Sequence, residues 1–289
     1  MVRRPDPAQT EQLVRMALAE DAPWGDITSE VLIAADAQAS AQLVAREAGV
    51  LSGEDLFRAA MRLAGDAQAE FAVHDGDSFV QGAALATVAG PARAVVTAER
   101  VALNFVQRMS GIATLTARYV REIAGTRARI VDTRKTTPGL RAIERYAVRC
   151  GGGHNHRFSL SDALMAKDNH LALLTGQGSR DLTSALRAGF ARLPHTMHKE
   201  VEVDRLDQID AVLAADVDTV MLDNFSLADL CAGVALIYER TGGHVLVEAS
   251  GGVTLETVRA IAETGVDIIS IGALTHSVRA LDLGLDIDA

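Results

Sequence analysis

From about residue 128 to Gly272 the chain repeats one unit: a short apolar run, a polar tip, then a stretch with helical spacing. The runs are Ile130-Val131, Leu164-Met165-Ala166, Val201-Glu202-Val203, Val220-Met221-Leu222, Val245-Leu246-Val247 and Ile268-Ile269-Ser270-Ile271. Short runs enriched in β-branched residues read as buried strands. Strands that alternate with helices require a parallel sheet, because only a long crossover returns the chain to a parallel neighbour. The intervening signals agree. Pro138 stands at a first helical position ahead of Leu140, Ile143 and Ala147. Ser226 is a cap with Asp229 behind it and Gly242-Gly243 as the stop, and Thr254 is a cap with Glu256 behind it and Gly265 as the stop. Such a sheet is either open or closed into a barrel.

The first 110 or so residues have another texture. A helical opening, Glu11 to Asp21, leads to a turn and cap at Trp24-Gly25-Asp26-Ile27-Thr28-Ser29. Residues 38–90 then alternate apolar and polar between Gly-containing turns at Asp75-Gly76-Asp77 and Gln81-Gly82, the pattern of an antiparallel sheet in a mixed α/β domain. Two apolar-striped helical stretches, 95–108 and 111–124, connect it to the repeats. The expected domains are 1–112 and 113–273, with 274–289 returning to the first.

Composition excludes several classes. A net charge of −10 is wrong for a nucleic-acid surface, which needs clustered positive charge. No run reaches the ~18 apolar residues of a membrane span, and no apolar stretch follows Arg3-Arg4, so neither a membrane segment nor a signal peptide is expected. Cys150 and Cys231 form no metal-ligand spacing and suit a reducing, cytoplasmic setting.

The polar tips carry the chemistry. In α/β barrels the site is built where strands end, and here the ends read Asp132-Thr133-Arg134-Lys135, Lys167-Asp168-Asn169-His170, Glu202, Asp223-Asn224, Glu248-Ala249-Ser250-Gly251-Gly252 and Gly272. Only three of the 28 basic residues are lysines, Lys135, Lys167 and Lys199, and two of the three sit at such tips. Lys199 precedes its strand and reads as a surface residue. Arg134, Lys135, Arg157, Lys167, His156 and His170 thus face Glu202, Asp223 and Glu248. Arginine forks grip carboxylates, lysine acts as a point charge on phosphate, and carboxylates hold Mg²⁺ or ribose hydroxyls. His154 and His156 at i, i+2 could share a zinc ion, but no third nitrogen or sulfur ligand lies near in sequence. Arg141, Arg145 and Arg149 recur on one helical face, and Gly176 and Gly178 read as a loop, not a dinucleotide fingerprint.

The stretches Asp132-Thr-Arg-Lys-Thr-Thr-Pro-Gly-Leu-Arg141, Gly151-Gly-Gly-His-Asn-His-Arg157 and Lys167-Asp-Asn-His170 resemble the quinolinate phosphoribosyltransferase family. Gly25-Asp-Ile-Thr28, Ser110-Gly-Ile-Ala-Thr114, Leu222-Asp-Asn-Phe225, Glu248-Ala-Ser-Gly-Gly252 and Gly272-Ala-Leu-Thr-His-Ser277 extend the likeness over the whole chain. The resemblance implies an N-terminal α/β sandwich plus an incomplete parallel α/β barrel, the type II phosphoribosyltransferase-like architecture. It implies quinolinate and phosphoribosyl pyrophosphate as substrates and Mg²⁺ as cofactor. It also implies a homodimer or higher oligomer, with Arg100 contributed across the interface. Arg134, Arg157 and Lys167, with His156 beside them, would take the substrate carboxylates. Lys135, adjoining Thr133, would serve the pyrophosphate or ribose side. Glu202 and Asp223 would hold ribose hydroxyls and the metal, directly or through ligand and water. Ser250, Gly251, Gly252 and the segment Ile271, Gly272, Ala273 would bind the 5′-phosphate. Lys135, Lys167, Glu202 and Asp223 are the expected catalytic set.

Overall fold

In the computed structural model, residues 4–176 and 181–288 are described; Gly178 lies outside them. The chain forms two compact units, one of Met1–Ala117, Thr136–Gly153 and Ala273–Ala289, the other of Arg118–Lys135 and His154–Gly272.

The first unit holds strands β1 (Gln38–Ala45), β2 (Gly49–Val50), β3 (Gln68–Phe71), β4 (Ser78–Phe79) and β5 (Ala84–Pro91), with the helix Glu54–Gly65 between β2 and β3. β1, β5 and β3 pair antiparallel in that order, and β2 pairs with β4. Ala41, Leu43 and Ala45 are buried on alternate positions of β1, the period of a sheet wet on one face. The helix Glu54–Gly65 buries Leu56, Phe57, Ala60 and Met61, and Phe57 meets Phe71 of β3 edge-on with ring centroids 5.6 Å apart. At the start of the helix Ile27–Leu32, the Asp26 carboxylate accepts the Ser29 amide at 3.0 Å, as a capping residue should.

The two helical stretches expected around 95–108 and 111–124 are a single helix, Ala92–Glu122. Gly111, where the second stretch was expected to begin, does not interrupt the helix. The backbone at Arg279 and Ala280 comes so close that any β-carbon there would collide with the Arg279 carbonyl. Glycine here serves close approach inside a helix, at the usual propensity cost of about 1 kcal/mol.

The second unit holds β6 (Arg129–Val131), β7 (Leu164–Ala166), β8 (Lys199–Val203), β9 (Thr219–Asp223), β10 (Leu246–Ser250) and β11 (Ile268–Ser270). All six run parallel in the order β6-β11-β10-β9-β8-β7. No described strand joins β6 to β7, so the barrel is incomplete. On the outer edge of β6, His154 forms a parallel bridge with Val131, its amide donating to the Ile130 carbonyl at 2.8 Å. Val201, Val203, Val220, Leu222, Val247, Ala249 and Ile269 are all at most 2% exposed on one face of the strands, where Leu222 lies against Gly233 of the helix Leu227–Thr241. The alternate residues carry the carboxylates.

A last strand, β12 (Leu283–Ile287), pairs antiparallel with β1 and adds to the first sheet. Two helix starts differ from the sequence reading. Pro138 precedes a turn at Gly139 (φ +83°), and its helix begins only at Arg141. Thr254 opens a turn whose helix is Val258–Glu263. Ser226 and Gly242 cap Leu227–Thr241 as expected. No described helix is long and apolar enough to cross a membrane.

Candidate active site

Glu202 and Glu248 do not lie past their strands, as their apolar neighbours imply; they sit inside β8 and β10. A strand with apolar residues on one face and carboxylates on the other has period 2, and the continuous-run reading hid that alternation. It also hid Glu200, which shares a face with Glu202 at i, i+2 and is only 3% exposed. The pattern Lys199-Glu-Val-Glu-Val203 was the available signal.

Asp132 organises the end of β6. It is fully buried, and its two oxygens accept the Asn155 side-chain amide at 2.6 Å and the His156 backbone amide at 2.8 Å. The Asp132 motif and the Asn155-His156-Arg157 motif are therefore one structure, although 22 residues separate them. The His156 Nε2 lies 3.2 Å from Glu200 Oε2 and 3.5 Å from Glu248 Oε2. Burial depresses the imidazole pKa, and the hydrogen bonds to Glu200 and Glu248 more than offset it, drawing the ring up to about 10. Yet the Arg157 amide donates to Nδ1 at 2.7 Å, at the place a second ring proton would occupy. Hydrogen-bond geometry decides this conflict: the ring carries its proton on Nε2. Burial raises the carboxyl of Glu248.

Arg157 anchors one guanidinium nitrogen on the Ala163 carbonyl at 2.9 Å. Burial and then the positive charge of Arg134 lower its pKa, while Glu200 opposes them. The positive charge of Arg134 thus acts on the Arg157 guanidinium. Lys135 beside them is exposed, its amide turned onto Thr133 Oγ1 at 3.0 Å.

At the next strands, Lys167 ion-pairs with Glu202, and its amide donates to His170 Nδ1 at 3.0 Å. Asp223 ends β9 and accepts the Asn224 side-chain amide at 2.6 Å. Ser250 is level with Asp223 on β10, and its carbonyl accepts the Asn224 amide at 2.9 Å. Asn224 takes φ +58°, which tucks its side chain against Gly251, where a β-carbon would overlap the amide oxygen. Gly251 (φ +92°) and Gly252 (φ +59°) are both left-handed, so this turn demands glycine on conformational grounds as well. The Ile271 amide donates to the Val131 carbonyl at 3.0 Å, which sets Gly272 at the end of β11; Ala273 opens the short helix Ala273–His276.

The structure thus brings Arg134, His156, Arg157, Lys167, Glu202, Asp223, Ser250 and Gly251 onto the ends and inner face of one sheet. Arg100 is exposed on the helix Ala92–Glu122 of the first unit. Lys199 does not precede its strand but begins β8, and its side chain is only 18% exposed, its ammonium 3.0 Å from Asp216 Oδ2 and over the Phe190 ring. Among the described residues, the metal-donor atoms that gather around His156 are those of Glu200 and Glu248, not His154. A cavity of about 820 Å³ opens beside β7, mostly apolar, with Arg157 and His170 among its lining.

The incomplete parallel barrel thus gathers guanidinium and ammonium groups around inward carboxylates, with a glycine turn at a strand end, an arrangement suited to an anionic ligand. Residues 26–110 match the quinolinate phosphoribosyl transferase N-terminal domain, and residues 112–286 match the C-terminal domain. The nicotinate-nucleotide pyrophosphorylase [carboxylating] of Mycobacterium leprae is 44% identical, with 95% of each chain covered. The probable enzyme of that name from Bacillus subtilis is 40% identical over 96% of this chain and 93% of its own. The solved nicotinate-nucleotide pyrophosphorylase of Francisella tularensis superposes with a TM-score of 0.90 at 36% identity, covering 100% of this chain and 99% of its own. The chain belongs to the quinolinate phosphoribosyltransferase family.

Proposed function

We propose that this chain joins quinolinate to phosphoribosyl pyrophosphate, releasing pyrophosphate and carbon dioxide and leaving nicotinate mononucleotide for NAD biosynthesis. One observation supports the reading beyond family membership: burial and the positive charge of Arg134 both work against the Arg157 cation. A dianion relieves that repulsion, and two carboxylates on one ring suit two guanidinium forks.

On this reading the residues divide the labour as follows. Arg134 and Arg157, with His156 and Lys167, receive the quinolinate carboxylates and aim its ring nitrogen at ribose C1. As that nitrogen attacks, the bond from C1 to pyrophosphate breaks. Positive charge grows at C1 and negative charge on the leaving group, which the exposed Lys135 meets. Loss of the 2-carboxylate as carbon dioxide then leaves its electron pair at C2, beside the cationic ring nitrogen, and a proton taken up from water completes the C2–H bond of the product. Positioning and electrostatics suffice, with no covalent enzyme intermediate. Ser250, Gly251 and Gly252 present a glycine turn to the 5′-phosphate, and Ile271, Gly272 and Ala273 continue it.

Glu202 and Asp223 fit a Mg²⁺ ion as hard oxygen donors. They are two groups only, and Glu202 already engages Lys167, so pyrophosphate oxygens and water would complete the shell. When bound, the ion neutralises charge on the leaving pyrophosphate. Arg100, exposed and outside the barrel unit, is assigned to the site of a second copy in a homodimer or larger oligomer. The free thiols of Cys150 and Cys231 are in keeping with a cytoplasmic enzyme. The deciding experiment supplies quinolinate, phosphoribosyl pyrophosphate and Mg²⁺ and follows carbon dioxide and nicotinate mononucleotide. Equal turnover of nicotinate, or no carbon dioxide, would overturn the proposal.

A further inference from the structure

Two buried carboxylates have no place in the reaction as described. Glu200 and Glu248 are 3% and 1% exposed, come from β8 and β10, and converge on one nitrogen of His156. One oxygen of each has no hydrogen-bond partner among the described residues. Placing two carboxylates under a site is costly unless they hold something.

What they hold is set by the other side of the ring. Nδ1 accepts the Arg157 amide at 2.7 Å, so the single ring proton sits on Nε2 and points between the two carboxylates. The backbone of the same residue is gripped by Asp132 at 2.8 Å. His156 is thus clamped through its main chain by Asp132 and through its ring by Glu200 and Glu248. Its far nitrogen fixes the amide of Arg157, the residue whose guanidinium receives the substrate. His156, Glu200 and Glu248 also have the donor set of a divalent cation site. A metal on Nε2 would need the proton moved to Nδ1, where the Arg157 amide already points its hydrogen.

We propose that Glu200 and Glu248 are positioning residues for the quinolinate pocket, acting as paired hydrogen-bond acceptors that lock the His156 ring as its Nε2–H tautomer and thereby fix Arg157. This rests on the assignment of Arg157 to quinolinate. It adds two residues that touch neither substrate, and its content is acceptor geometry, not carboxylate charge.

Methionine and glutamine are close to glutamate in volume but differ in what they offer: glutamine keeps an acceptor oxygen, methionine does not. Glu248→Met and Glu200→Met should each raise the KM for quinolinate by about tenfold, the effect of one good hydrogen bond. The KM for phosphoribosyl pyrophosphate should stay within about twofold, since these acids act only through Arg157. Glu248→Gln and Glu200→Gln should restore most of the loss. Methionine variants with unchanged KM would overturn the proposal, and so would glutamine variants as impaired as the methionine ones. Ring nitrogen NMR of the wild-type protein reads the tautomer directly, even if the variants fail to fold. His156 protonated on both nitrogens at neutral pH, or shifted by added Zn²⁺ or Mn²⁺, would equally refute it. Absence of quinolinate turnover in the wild type sinks the proposed function while the NMR result still decides the tautomer.

Discussion

Glu144 is the most heavily engaged carboxylate of the first unit, and its removal should be the costliest change away from the barrel. It is fully buried and accepts four hydrogen bonds: from Arg108 Nε at 3.3 Å and Nη2 at 2.8 Å, and from the Thr137 amide at 3.0 Å and hydroxyl at 2.7 Å. Arg108 in turn donates to the Thr275 carbonyl at 2.5 Å. The pair ties together the loop two residues beyond Lys135 and the segment just beyond Gly272. Replacing Glu144 by leucine fills the volume but strands the arginine and the Thr137 amide. Breaking a buried pair from one side costs about 3–5 kcal/mol. Arg108 is 28% exposed and keeps its carbonyl partners, so about 3 kcal/mol is expected. For a chain of this size that is a fall in melting temperature of roughly 6–12 °C. Glu144→Gln retains an acceptor and should lose about 1–2 kcal/mol. Glu11→Gln, which touches only the surface partners Arg15 and Arg62, should melt like the wild type. Thermal and urea unfolding of the three variants checks the order. A leucine variant within about 0.5 kcal/mol of wild type would refute the reasoning.

The remaining predictions concern the site. Arg157→Ala should lose quinolinate binding by about 2–5 kcal/mol while phosphoribosyl pyrophosphate binding holds, and Lys135→Ala should show the opposite bias. Calorimetry with each ligand decides it, and equal losses for both ligands would show that the partition is wrong. Gly251→Ala should weaken phosphoribosyl pyrophosphate binding, because the added methyl both meets Asn224 and sits at φ +92°; unchanged affinity would separate this turn from the phosphate. Activity should vanish in EDTA and return with Mg²⁺ or Mn²⁺, and full turnover in chelator would remove the metal from Glu202 and Asp223. Mixed oligomers of Arg100→Ala and Arg157→Ala chains should recover some activity through hybrid sites; mixtures as inactive as each parent would place Arg100 outside a partner's site.

The six strands of the second unit were legible in the sequence because burial on both faces of a parallel sheet writes local apolar runs, and the Ser226 and Gly242 caps because capping chemistry is local. The cations at the tips could also be read, since a basic residue directly after a buried run has few other reasons to be there. What the sequence could not show is which face of a strand looks inward. That depends on neighbours far along the chain, so Glu202 and Glu248 read as tips and Glu200 went unnoticed. The joining of the stretches 95–108 and 111–124 was hidden for the same reason: a glycine that ends a helix and one that, like Gly111, admits the chain at Arg279 are identical until the partner is in place. The pairing of Asp132 with the amides of Asn155 and His156, and the convergence of Glu200 and Glu248 on a single ring nitrogen, were decided only by tertiary structure. Their partners lie far apart in the chain, Glu200 and Glu248 on different strands, and contacts between them exist only once the sheet has set its order and register.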